Sequence, residues 1–152
     1  MSLQVYNCSD DKLSEMLELT RWAKDFSWQQ ICNISKQMQA YKANKGDIIF
    51  DEGSSDNTMG ILVKGRVDVV KGDMENNRKV IASLQSSQSF GEMSLIDGEP
   101  RSAAVVASTD VVLLFLTKEK MFDLVNTTSS LAFKLMWMIA HMLSQRLRKT
   151  SG

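Results

Sequence analysis

The residues best suited to chemistry lie together in Phe90-Gly91-Glu92-Met93-Ser94-Leu95-Ile96-Asp97-Gly98-Glu99-Pro100-Arg101-Ser102-Ala103-Ala104-Val105. Gly91 has no Cβ, so backbone N–H groups beside it can approach a ligand closely. Coiling of Glu92 to Ile96 into one helical turn would aim free amides at an anion. Pro100, the only proline in the chain, fixes its own φ and pushes Glu99 toward extended geometry. Arg101 is thereby carried on a defined backbone, from which a guanidinium can grip a phosphate through two charge-assisted hydrogen bonds. Ser102 can add a hydroxyl to the same group. Glu92, an acceptor when ionised, suits a sugar hydroxyl rather than a phosphate. The same residues also fit a plain surface turn, with Glu92 and Arg101 forming an exposed ion pair of little energetic weight.

Other chemistry is poorly represented. The single histidine, His141, falls within an apolar helical stretch, where a structural role is expected. No nucleophile, base and orienting group recur together, and no metal-ligand set is visible, so neither an enzyme nor a metal is expected. Cys8 and Cys32 form no CxxC pair and read as buried free thiols in a reducing, cytoplasmic setting. Lysine plus arginine balances aspartate plus glutamate at 18 each, which excludes a global field for nucleic acid or anionic lipid. No apolar run reaches the about 18 residues of a membrane span, and the N-terminus lacks the pattern of a signal peptide.

The elements that must hold the segment follow from periodicity. From Asp10 to Ala43 apolar residues recur at helical spacing, interrupted at Asp25-Phe26-Ser27, with Ser27 a candidate N-cap. Short β-branched runs follow: Asp47 to Phe50, Met59 to Lys64, Val67 to Lys71, Lys79 to Leu84, Ala103 to Ala107 and Val111 to Leu116. Turns at Glu52-Gly53, Lys64-Gly65 and Lys71-Gly72-Asp73 separate them, and Gly72 to Arg78 reads as a hairpin loop. Many short strands at this spacing predict a sandwich or jelly roll. Beyond Lys118 the helical period returns, with apolar residues on more than one face, a surplus that suits a subunit interface.

FGEMSLIDGEPRSAAV resembles the phosphate-binding cassette of the cyclic nucleotide-binding domain family, and KGDIIFDEGSSDNTMGILVKGRVDVV resembles its opening strands. The similarity extends over residues 28–148. It implies a mainly β fold with flanking α: an eight-stranded double-sheet jelly-roll β-sandwich between N-terminal and C-terminal helices. Residues 1–27 would be a helical extension and residues 28–152 the binding domain. The resemblance also implies a sensor that is not an enzyme and that relays ligand binding to its C-terminal helices.

By the same resemblance, Arg101 holds the cyclic phosphate and Glu92 accepts from the ribose 2′-hydroxyl. Gly91, Met93 and Ser94 present amides, and Ser102 and the Ala103 amide complete the phosphate contacts. Val69, Val80, Ile81 and Leu84 would line the apolar side of the pocket or serve as core. Thr150 and Ser151 resemble an adenine-reading Thr-Ser pair of the family, which favours cyclic AMP over cyclic GMP. Two departures stand out: Ser87 replaces a glycine usual three positions before Phe90, and Asn126 to Ser130 lacks the usual proline. The chain stops before a helix-turn-helix could begin, so no DNA-binding element is expected in it, nor a membrane partner. A homodimer through the last helix is expected. The rival expectation is a ligand-free interaction or dimerisation module, from which retention of both Glu92 and Arg101 would distinguish a receptor.

Overall fold

The computed structural model describes residues 3–72, 75 and 77–151. Helix α1 (Asp10–Glu18), a 3-10 segment (Arg21–Asp25) and α2 (Trp28–Ser35) precede the sheets; α3 (Glu92–Asp97) interrupts them, and α4 (Lys118–Thr127) and α5 (Ser129–Ser151) follow. One antiparallel sheet has the order β1 (Gln4–Val5), β2 (Gln39–Ala43), β9 (Val111–Thr117), β4 (Thr58–Lys64), β7 (Ser89–Phe90). The other runs β3 (Ile48–Phe50), β8 (Ala104–Ala107), β5 (Arg66–Gly72), β6 (Arg78–Gln85). Strands β2 to β9 make the eight-stranded jelly-roll sandwich, and β1 adds a two-residue edge strand by pairing with Lys42 and Tyr41.

Alternation along β4 and β9 explains how the layers assemble. Met59, Ile61, Leu114 and Leu116 face the helices, in one core with Leu17, Ile31, Leu124, Leu135 and Ile139. Leu62, Val111, Leu113 and Phe115 face the second sheet, with Phe50, Phe90 and Val105. Both faces of these strands are covered, so they read as unbroken apolar runs. Gly60 lies under the rings of Phe90 and Phe115; a Cβ there would meet Phe90 Cζ at 2.6 Å, which is why a strand interior tolerates glycine at this point.

The helical reading of Asp10 to Ala43 needs correction at its end. The helix stops at Ser35, and Gln39–Ala43 is a strand paired to Val111–Phe115. Alanines 40 and 43 are good helix formers, but both are buried in the sheet and tertiary pairing overrides their propensity. Ser27 does cap α2, accepting from the Gln30 amide at 3.2 Å while Gln30 Oε1 accepts from the Ser27 amide at 2.9 Å. Gly72 pairs with Arg78 at the mouth of the expected hairpin, whose Asp73, Met74 and Asn76 lie outside the described residues. Cys8 and Cys32 are free and half-buried rather than fully buried.

Candidate functional site

The segment from Phe90 to Ala103 folds as a short helix set between two left-handed glycines. Gly91 (φ +80) starts α3 and Gly98 (φ +70) ends it, a conformation that costs glycine nothing and other residues about 1–2 kcal/mol. Space also requires Gly91: an added Cβ would lie 2.6 Å from Arg101 Nη1 and 2.9 Å from both Phe50 Cε2 and the Thr58 carbonyl oxygen. The Ser94 hydroxyl donates to the Glu99 carbonyl at 3.0 Å and closes the loop behind the helix.

Arg101 is only 6% exposed. Its main chain is clasped by the loop after β3, the Arg101 amide donating to Ser54 O and the Gly53 amide to Arg101 O, both at 2.8 Å. Nη1 donates to the Gly91 carbonyl at 3.0 Å, and Nη2 donates to the Thr58 carbonyl and to Asp56 Oδ1. The guanidinium carbon sits 3.8 Å from the centre of the Phe50 ring, a cation–π contact strengthened by desolvation. Among the described residues Nε has no acceptor, and a buried donor left in that state costs about 1–3 kcal/mol.

Glu92 is 2% exposed and makes no ion pair with Arg101. Its Oε2 accepts from Ser89 Oγ at 2.5 Å and from Arg146 Nη1 at 3.2 Å, and Arg146 Nη2 donates to the Ser89 carbonyl at 3.1 Å. The last helix is thus tied to the start of α3 by a buried carboxylate. The exposed Glu92–Arg101 pair of the surface-turn reading does not form; each residue has its own partner of opposite charge.

Between these two charged groups opens a pocket of about 500 Å³, within the range of small-molecule sites. All seven residues singled out from the sequence reach its wall: Gly91, Glu92, Met93, Ser94, Arg101, Ser102 and Ala103. Met93 and Ser102 are exposed, Ala103 is half-buried, and Ser94 is buried. Val69 also lines it, whereas Val80 and Ile81 are more than half exposed on β6 and Leu84 packs in the core between the sheets. Thr150 reaches the pocket, but its hydroxyl donates to the Arg146 carbonyl at 3.1 Å; the Ser151 side chain lies outside the described residues.

Sequence reasoning did not single out Phe50, Asp56, Thr58, Ser89 or Arg146 as site residues. Phe50, Asp56, Thr58 and Arg146 contribute from elements distant in sequence, and Ser89 from the strand just before the segment. Only the basic tail Arg146, Arg148, Lys149 hinted at Arg146, and it also fits a helix C-terminus.

The sequence profile described as "Cyclic nucleotide-binding domain" matches residues 41–128. Human cGMP-dependent protein kinase 2 is 29% identical over 124 residues, 80% of this chain and 16% of the kinase. The "Cyclic AMP receptor protein" of Thermus thermophilus is 31% identical over 105 residues, 69% of this chain and 47% of that protein. The chain therefore spans less than half the length of either relative. A crystal structure of a cyclic nucleotide-binding domain from Methylobacillus flagellatus superposes with a TM-score of 0.84 at 26% identity, over 97% of this chain and 84% of that one.

Proposed function

The chain belongs to the cyclic nucleotide-binding domain family, and on that premise we propose that it is a cyclic nucleotide receptor domain, selective for cyclic AMP, whose last helix carries the signal. The observation that supports this most is the pairing in one pocket of a desolvated guanidinium, Arg101, with a desolvated carboxylate, Glu92. A cyclic phosphate is a monoanion joined to a ribose that offers a 2′-hydroxyl donor. The first would satisfy Arg101 Nε, and the amides of Gly91, Met93 and Ser94 with Ser102 and Ala103 would complete its shell. The second would donate to Glu92.

Adenine is favoured over guanine by what α5 presents. Leu143 and Leu147 line the pocket, and both terminal nitrogens of Arg146 are engaged by Glu92 and the Ser89 carbonyl. An arginine fork for guanine O6 and N7 is thus occupied, leaving an apolar surface for the base. Relay follows from the same contact: a ribose hydroxyl on Glu92 alters the acceptor that holds Arg146, and with it the seating of α5. Binding shifts that equilibrium only as far as the ligand prefers one seating.

The output surface in this reading is a dimer. Phe133, Trp137, Ala140, Ser144 and Leu147 are all exposed and alternate four and three residues apart along α5, the spacing of a coiled-coil seam. On that face the Phe133 and Trp137 rings lie tilted against each other with centres 6.0 Å apart. The N-terminal segment acts as an extension on the receptor domain that adds α1 and the edge strand β1 to it, and the chain works in the cytoplasm without catalysis or metal.

A second reading is a ligand-free interaction module, and the three protein acceptors already held by Arg101 favour it. Calorimetric titration with cyclic AMP, cyclic GMP and linear 5′-AMP separates the two. Saturable binding of cyclic AMP tighter than of the other two supports the receptor. Absence of binding by either cyclic nucleotide moves the function to the interaction module.

A further inference from the structure

A second, larger cavity of about 780 Å³ lies outside the pocket just described, between the 3-10 segment, the turn leading into β7 and one flank of α5. Its charge is one-sided. Arg21, Lys134, Arg146 and Lys149 line it against a single carboxylate, Asp25. Arg21, Lys134 and Lys149 have no ion-pair partner among the described residues. Helix α5 contains no aspartate or glutamate over its 23 residues, in a chain whose charges balance as a whole. Such a local excess attracts anions even where the net charge is zero.

The layout of the groove selects the kind of anion. Lys134 and Lys149 are fifteen residues apart on one helix, about 22 Å at 1.5 Å per residue. A small ion touches one end only. From Lys134 to Gln145 the α5 wall is uncharged at Met138, Met142 and Gln145, with His141 beside them, and Arg146 near the Lys149 end is held by Glu92. Methionine thioethers adapt to varied apolar side chains at peptide-binding surfaces. A phosphodiester backbone carries its charge evenly and would lay phosphates over that neutral stretch. A peptide can place carboxylates at both ends and apolar residues between, and about seven extended residues span the distance.

We propose that this groove binds an extended peptide of a protein partner, acidic at its ends and apolar in its middle. The dimer seam occupies a different face, about a third of a helical turn away, and meets the groove only at Trp137.

The test uses the whole chain and a fluorescein-labelled peptide of about eight residues, two glutamates at each end and alternating leucine and serine between, followed by anisotropy. Binding should weaken as salt rises. The Lys134→Gln, Lys149→Gln double variant should weaken it at least about threefold, the effect of two exposed ion pairs, while Lys64→Gln on β4 leaves it unchanged. No binding at low salt overturns the proposal, as does binding indifferent to the double variant. Groove-dependent binding of single-stranded DNA or of anionic vesicles in place of the peptide also overturns it.

Discussion

Replacement of Arg101 by alanine tests the receptor reading most directly, because the structure gives this side chain two separable duties. In the unliganded protein its loss strips donors from the carbonyls of Gly91 and Thr58, and removes the cation above Phe50. The Asp56 side chain is 42% exposed and rehydrates, so its ion pair contributes little. The two part-buried carbonyls together account for about 1–3 kcal/mol. At about 2–4 °C per kcal/mol for a domain of this size, the melting temperature should fall by roughly 2–12 °C. The protein stays folded, and binding can then be measured on it. Loss of one charge-assisted phosphate contact costs about 1.5–3 kcal/mol, which raises the Kd for cyclic AMP by about 10- to 150-fold. Arg101→Lys keeps the charge without the planar fork and should fall between the two. Calorimetry gives the affinities, and circular dichroism before each titration shows the fold intact. A folded Arg101→Ala protein whose Kd stays within about threefold of the parent, a change of under 1 kcal/mol, would refute the assignment of Arg101 to the phosphate.

Further substitutions probe the supporting geometry. Gly91→Ala combines a left-handed φ of +80 with contacts of 2.6–2.9 Å to Arg101, Phe50 and Thr58, and should cost about 1–3 kcal/mol in denaturant melts while weakening cyclic nucleotide binding. Ser87 is the one non-glycine residue with positive φ among the described residues, at +81. Ser87→Gly should therefore stabilise by about 0.5–1 kcal/mol, with the melting temperature rising by a few degrees and ligand affinity unchanged. Trp137→Glu places a charge in the exposed α5 seam and should convert a dimer to a monomer by light scattering after gel filtration; a monomer in the parent protein would refute the seam. Glu92→Gln leaves Arg146 facing a neutral amide and should reduce the preference for cyclic AMP over its 2′-deoxy analogue at least about threefold, the scale of one hydrogen bond.

Much of this molecule is legible from local sequence. Six strands appear within one residue of the expected bounds, because β-branched runs between glycine turns have no competing helical period. The cassette is equally plain, since Gly91 and Gly98 permit a left-handed backbone and Pro100 fixes its own φ, each through its own chemistry and independent of distant contacts. Even the altered turn at Ser87 shows: a position where glycine is usual takes a left-handed φ. Gln39–Ala43 and Ser89–Phe90 were hidden, because they are strands only by virtue of their partners β9 and β4.

Tertiary structure alone decided who pairs with whom. Residue types make Glu92 and Arg101 candidates for a ribose and a phosphate; they do not show that Asp56 holds the arginine or that Arg146, 54 residues from Glu92, holds the glutamate. Those pairings depend on where the sandwich places the loop after β3 and where α5 crosses α3. The same crossing places Arg146 in the walls of both cavities. The reason is physical: backbone preference acts over a few residues, whereas the desolvation of a charge is set by whatever the whole fold packs around it.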